Sequence, residues 1–297
     1  MKFLDKLLKR KPKVDKVDVR RRFELVCRVG QGSMSKVWRA KDVVSGRVVA
    51  LKILDKAKTY RLERRFVGMN KPSEGAIALG LRHPNIVKTL EAGITTDDEQ
   101  FLVMEFIEGV GLSYLIDVQN DRMQQHRLSY IVQLGDAVDY LHRHNWIHRD
   151  VCPRNVLISE ENEVKLIDFG LVVPNTEPFR APGNRTGTPL YMAPELIKRQ
   201  KTDERIDIFS FAVSCFEMYS RLMPWPAGDT LESALQHINK PARDIRELVP
   251  DLDEGVADAI MKGLELNPDR RWRSARQMTD ALREAGRRLG QLAQSAE

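Results

Sequence analysis

Cysteine is scarce in this 297-residue chain. The three present, Cys27, Cys152 and Cys215, are scattered and odd in number. That argues against a disulfide framework, offers no metal-binding spacing, and favours a reducing, cytoplasmic setting. Long apolar runs are also missing, and no stretch approaches the ~20 residues a membrane-spanning helix needs. Nor is there a secretory core near the start, because Asp5, Lys6, Lys9 and Arg10 interrupt the apolar residues. No internal repeat or low-complexity tract appears. What remains is 42% hydrophobic and 30% charged, the balance of a globular chain long enough to bury a real core.

The net charge of +6 invites a nucleic-acid reading, but its distribution opposes one. Residues 1–22 hold ten basic and three acidic groups, a local +7 that leaves the rest at −1. The basicity belongs to a leader and not to a binding face. Within it Phe3, Leu4, Leu7 and Leu8 share one face at helical spacing. The leader therefore reads either as a solvated arm or as a helix that docks on a membrane surface or a partner.

From Phe23 to Lys52 the chain alternates as strands do, with a turn at Ser45-Gly46. Between Lys58 and Leu81 the composition is helical but interrupted by Gly68, Pro72 and Gly75, so a loop and then a helix capped by Ser73 are expected. Strands follow near 86–92 and 100–106. The pattern then turns helical: a stripe of Leu128, Ile131, Val132, Leu134, Val138 and Leu141, an apolar core helix over 206–220, and helices over 252–264 and 275–289. A small β-rich part thus precedes a larger helical one, with a hinge near 105–111.

Three motifs carry chemistry. Gly30-Gln-Gly32-Ser-Met-Ser35-Lys-Val37 places two glycines where backbone N–H groups can approach phosphates, although any strand turn can hold two glycines. Val49-Ala-Leu-Lys52 ends a strand with a compact cation suited to phosphate oxygens. The third is His148-Arg149-Asp150-Val-Cys152-Pro-Arg154-Asn155, followed after two short strands by Asp168-Phe169-Gly170. A hairpin of that size brings Asn155 and Asp168 together as oxygen ligands for Mg²⁺, which leaves Asp150 to accept a hydroxyl proton.

This ordered set resembles the eukaryotic-type protein kinase family, Ser/Thr branch, over about 23–289. The resemblance implies an α+β, bilobal protein-kinase-like fold: an N-lobe of about 23–104 with one key helix, a hinge of 105–111, a helical C-lobe of 112–290 and a tail of 291–297. It implies ATP and Mg²⁺ as cofactors, bound in the cleft, and a protein as substrate. Lys52 would hold the phosphates and pair with Glu74, with Gly30 and Gly32 above them. Asn155 and Asp168 would bind the metal. Val29, Val37, Ala50 and Leu157 would wall the adenine, Met104 would guard the back of its pocket, and the backbone of Glu105 to Ile107 would meet it. Asp207 would brace the catalytic loop, and Arg271 would pair with Glu195 of the Gly187-Thr-Pro-Leu-Tyr-Met-Ala-Pro-Glu195 segment. That segment resembles a protein-substrate platform and disfavours a small-molecule kinase.

Four departures stand out. Ser35 occupies the third glycine position of the phosphate loop, which implies a stiffer loop. Cys152 replaces the family's usual lysine beside the catalytic aspartate, and Arg154 is expected to supply the missing charge. Without that charge the chain would be a weak enzyme or an ATP-binding scaffold. Thr188 marks Ser/Thr specificity, its hydroxyl within reach of Asp150. Acids are missing at Gly111 and Arg154, which implies no selection for arginine upstream of the target. Arg149 signals a loop phosphate, yet the usual acceptor position is Asn184, with Asn70 at the matching helix position. Thr176 and Thr186 remain, so either they are phosphorylated or the segment folds without phosphate. The histidines are expected to be surface or packing residues rather than ligands.

Overall fold

The computed structural model describes residues 16–31, 34–183, 185–225 and 238–292. It divides into two compact units. The first runs through Arg65 and resumes over Lys88–Phe106; the second holds Phe66–Val87 and continues from Ile107.

The first unit is built on a six-stranded sheet. Its elements are β1 (Lys16–Val17), α1 (Val19–Arg22), β2 (Phe23–Gln31), β3 (Ser35–Asp42), β4 (Val48–Leu54), α2 (Lys56–Glu63), β5 (Thr89–Thr95) and β6 (Gln100–Glu105). The strand order is β1-β5-β6-β4-β3-β2, antiparallel except for β1 beside β5. Alternation explains the core: Val49 and Leu51 of β4 face inward with Phe23, Ala40, Phe101 and Val103. Fully burying side chains of this size is worth about 1.5–3 kcal/mol each.

The end of the basic leader is part of this sheet. Lys16 and Val17 pair with Ile94 and Thr95, and Val17 and Val19 pack on the core. Arg22 grips Glu91 with two bonds of 2.6 Å and reaches Asp42 at 3.3 Å. The leader's apolar face lies outside the described residues.

The second unit is mainly helical. α3 (Glu74–Gly80) starts where Ser73 accepts a bond from the Ala76 N–H, as expected. Before it, Gly68 and Asn70 take positive φ values of 81° and 51° and break the helix. Asn70 therefore sits in a turn, not on the helix. β7 (Gly109–Gly111) leads to α4 (Leu112–Val118) and the long α5 (Asp121–Arg143). The expected stripe of α5 is buried from Leu128 to Leu141. After β8 (Trp146–Ile147) come the hairpin strands β9 (Val156–Ser159) and β10 (Val164–Leu166), then β11 (Val173–Pro174) and the short helices α6 (Glu177–Arg180) and α7 (Pro194–Ile197). α8 (Arg205–Ser220) is buried on nearly every side, as its all-round apolarity requires. α9 (Glu254–Gly263) and α10 (Ala275–Arg288) close the unit.

A β-rich unit and a helical unit in this order are the α+β architecture the resemblance implies. Among the described residues no helix is long and apolar enough to cross a membrane.

Candidate active site

The catalytic loop is shaped from beneath by one carboxylate. Asp207 on α8 is fully buried. It accepts the His148 N–H at 2.7 Å and the Arg149 N–H at 2.8 Å, while His142 Nε2 meets it at 2.9 Å. Burial pushes this carboxyl up, but the His142 bond and the charges and N–H groups around it outweigh burial and hold it below the usual range. The bonds fix Arg149 at φ 68°, a left-handed conformation that costs a non-glycine residue about 1–3 kcal/mol. Asp207 thus braces the loop as expected. The His142 side chain anchors Asp207, a role that had no sequence signal.

Asp150 follows directly. Its Oδ1 accepts both the N–H and the hydroxyl of Thr188 at 2.7 Å. Its Oδ2 accepts Asn155 Nδ2 at 2.9 Å, and the same amide donates to the Asp150 carbonyl at 2.8 Å. With both amide hydrogens engaged, Asn155 Oδ1 is left as an acceptor for a hard cation.

The β9–β10 hairpin carries Asp168 back to this point. Val156 pairs with Leu166, and the Ile167 N–H donates to the Asn155 carbonyl at 3.0 Å. Asp168 Oδ1 accepts the Gly170 N–H at 3.1 Å. Phe169 is buried, its ring edge-on to His148 at 5.8 Å. A Cβ on Gly170 would stand 3.2 Å from a Glu74 carboxylate oxygen and 3.4 Å from Asp168 Oδ1. Glu74 and Asp168 therefore both lie beside Gly170, Asn155 is bonded to Asp150, and a carboxylate with an amide oxygen is a donor set that suits Mg²⁺.

Gly187 enters the substrate segment at φ 133°, and a Cβ there would lie 2.5 Å from the Arg149 carbonyl. At the segment's end Glu195 takes two bonds from Arg271, 2.6 and 2.8 Å, with both residues buried. This is the expected pair, in the bidentate geometry that makes such bonds strong.

Cys152 is 1% exposed. Burial pushes its thiol up to about 12, with the Asp150 charge adding to the effect. It is a neutral filler whose Sγ lies 3.9 Å from Thr188 Oγ1. Arg154 is exposed. Near it, Tyr191 donates to Glu217 at 2.5 Å, and burial raises the Glu217 carboxyl while the Arg154 charge opposes the rise. Sequence reading missed Tyr191 and Glu217 because no short spacing links them to the loop.

In the first unit Gly30, Val37 and Lys52 lie across adjacent strands, and Ala50 pairs with Met104. Lys52 is 4% exposed. Val29 is exposed on β2, and the Glu105 N–H donates to the Lys88 carbonyl at 3.0 Å. Gly32 lies outside the described residues. Ile107 and Leu157 belong to the second unit, where Leu157 pairs with Gly111.

Comparison with known proteins agrees with this constellation. The model of the protein kinase domain matches residues 23–282, so the chain belongs to the protein kinase family. It is 33% identical over 260 residues to a probable serine/threonine-protein kinase of Clostridium perfringens, covering 86% of this chain and 37% of that protein. The hormonally up-regulated neu tumor-associated kinase homolog A of Xenopus laevis is 36% identical over 250 residues, 82% of this chain and 35% of that protein. Serine/threonine-protein kinase PrkC of Bacillus subtilis is 28% identical over 260 residues, 86% of this chain and 39% of that protein. The chain spans a little over a third of the length of these relatives.

Proposed function

We propose that this chain transfers the γ-phosphate of Mg-ATP to serine or threonine hydroxyls of protein substrates, its own chain included. The observation that carries the reading is the Asp150 carboxylate, held by Asn155 on one oxygen and by Thr188 on the other. Asp150 orients the attacking hydroxyl and takes its proton. Asn155 Oδ1 and Asp168 hold Mg²⁺, which neutralises charge on the phosphates when bound. Lys52, with Glu74 as its family-matched partner, would hold the phosphates together with Gly30 and Gly32. Val29, Val37, Ala50, Met104 and Leu157 receive the adenine, with the backbone of Glu105 to Ile107 at its edge. Arg154 supplies the positive charge that neutral Cys152 does not.

Three further assignments accompany this one. With Gly111 and Arg154 in place of acids, the site does not select arginine upstream of the target, and a peptide array with strong arginine selection would refute this. The basic leader is either a solvated arm or a segment that docks on a membrane surface or a partner. Free thiols at all three cysteines fit a cytoplasmic location.

The test is radiolabelled transfer from ATP to a generic protein in Mg²⁺ and in chelator, followed by acid hydrolysis. Label on phosphoserine or phosphothreonine that depends on Mg²⁺ is expected. ATP binding without transfer would favour the scaffold reading, and phosphotyrosine would overturn the Ser/Thr assignment.

A further inference from the structure

We propose that Gln133 is a positioning residue for the metal site. Holding the outer edge of the β9–β10 hairpin, it sets Asp168 against Asn155, so that its loss weakens Mg²⁺ binding and leaves peptide binding unchanged. The proposal rests on the kinase reading above.

Gln133 is half-buried on α5, and its amide is used to capacity. Oε1 accepts Asn85 Nδ2 and the Val164 N–H, each at 2.9 Å. Nε2 donates to the Asn162 carbonyl at 3.1 Å and to Ser129 Oγ at 3.2 Å. Two N–H donors and two lone pairs are all that a glutamine amide offers. One side chain thus joins α5 to the hairpin turn, to strand β10 and to the stretch that follows α3, all within the second unit.

From there the path to the metal ligands is short. Asn85 is buried, and its Nδ2 also donates to the Val164 carbonyl at 3.1 Å. The Asn85 carbonyl accepts the Leu166 N–H at 2.9 Å, and the Leu166 carbonyl accepts the Val87 N–H at 3.0 Å. Residues 85–87 therefore cover the outer edge of β10, whose inner edge pairs with β9. Ile167 comes next and donates its N–H to the Asn155 carbonyl, and Asp168 follows it. Strand β10 is only three residues long. A shift at Val164 has no length of ladder in which to fade before it reaches Asp168.

The far end of the hairpin is held separately. Tyr130 Oη donates to Asn162 Oδ1 at 2.6 Å, and Arg122 Nε donates to the same oxygen at 2.8 Å. Asn162 stands in the turn at φ 64°. These two bonds fix the turn without touching the edge that Asn85 and Leu166 share. Gln133 differs from Tyr130 and Arg122 in reaching both the strand and the segment that covers it. Partners outside the first ring of ligands orient those ligands, and losing one costs metal affinity about tenfold or more.

The test uses Mn²⁺ as a paramagnetic stand-in for Mg²⁺. Free Mn²⁺ is read by electron paramagnetic resonance in the presence of a non-hydrolysable ATP analogue, with the protein in excess over the analogue. Gln133→Met keeps the length of the side chain and removes all four bonds; Mn²⁺ affinity should fall about tenfold. The Mg²⁺ concentration for half-maximal transfer should rise by the same factor, with the KM for a generic serine peptide unchanged. Asn85→Ala cuts the link between Gln133 and the outer edge of β10 and should weaken Mn²⁺ in the same direction, which keeps the proposal testable if Gln133→Met does not fold. Tyr130→Phe loosens the same hairpin at its turn. It should lower the unfolding temperature while Mn²⁺ affinity stays within about twofold of the parent, the scatter of substitutions away from a site. Unchanged Mn²⁺ affinity in the folded Gln133 or Asn85 variant would overturn the proposal and leave the kinase reading intact. So would an equal loss in Tyr130→Phe, because the effect would then be general loosening. A parent protein that binds the analogue but transfers no phosphate at any Mg²⁺ concentration would overturn the kinase reading and this proposal with it.

Discussion

Replacing Asp207 by asparagine is the sharpest perturbation of the loop. The carboxylate receives three short bonds, from His148 N–H, Arg149 N–H and His142 Nε2, inside a fully buried site. Bonds to a charged acceptor are worth about 1.5–3 kcal/mol each. An amide turns one acceptor into a donor that faces a donor, and it weakens the rest. We expect Asp207→Asn to lose about 3–5 kcal/mol in urea unfolding at pH 7, the range for breaking a buried polar pair. Such a loss is a large share of the ~5–15 kcal/mol of a typical domain. The same variant tests linkage. The Asp207 carboxyl lies below its usual 3.8 in the folded protein, so the folded state binds fewer protons than the unfolded state just below that value. Its stabilisation is complete above about pH 4 and is lost as pH falls through the folded value. The variant lacks this contribution, and its stability should fall less steeply in acid than that of the parent. A loss under about 1 kcal/mol with parallel acid limbs would refute the bracing role.

Other substitutions probe separate parts. Arg271→Ala leaves Glu195 buried without its cation, and unfolding should show a loss of about 3–5 kcal/mol. Gly187→Ala forces a Cβ to 2.5 Å from the Arg149 carbonyl at φ 133°; kcat should drop about 100-fold, and an unchanged kcat would dismiss the contact as functionally idle. In the folded protein at pH 8, iodoacetamide should label exposed Cys27 and spare Cys152, whose thiol is pushed up to about 12. Rapid labelling of Cys152 in native conditions would contradict its burial.

Much of the fold was legible because periodicity reports burial. The stripe on α5 and the all-round apolarity of α8 needed nothing beyond the sequence. So did the Ser73 cap and the β9–β10 hairpin, since local chemistry fixes them. What remained hidden depends on contacts across long separations. Nothing local marks Lys16 and Val17 as a strand, because their partner β5 lies some eighty residues on. Asn70 suggested a helix position, but positive φ at Gly68 and Asn70 puts a turn there. At the site, Asp150, Asn155 and Asp168 announce themselves by spacing. His142 and Glu217 do not, because each matters through a partner far away in sequence, 65 and 26 residues respectively.

The most direct test of the central claim sets the parent protein beside Asp150→Asn, with ATP binding and phosphate transfer measured on both. The asparagine keeps the size of the side chain but removes the proton acceptor. The account predicts similar ATP binding, with transfer reduced by about 100-fold or more in the variant. Equal transfer by both proteins would contradict it, because the phosphate would then be moving without the carboxylate on which the mechanism depends.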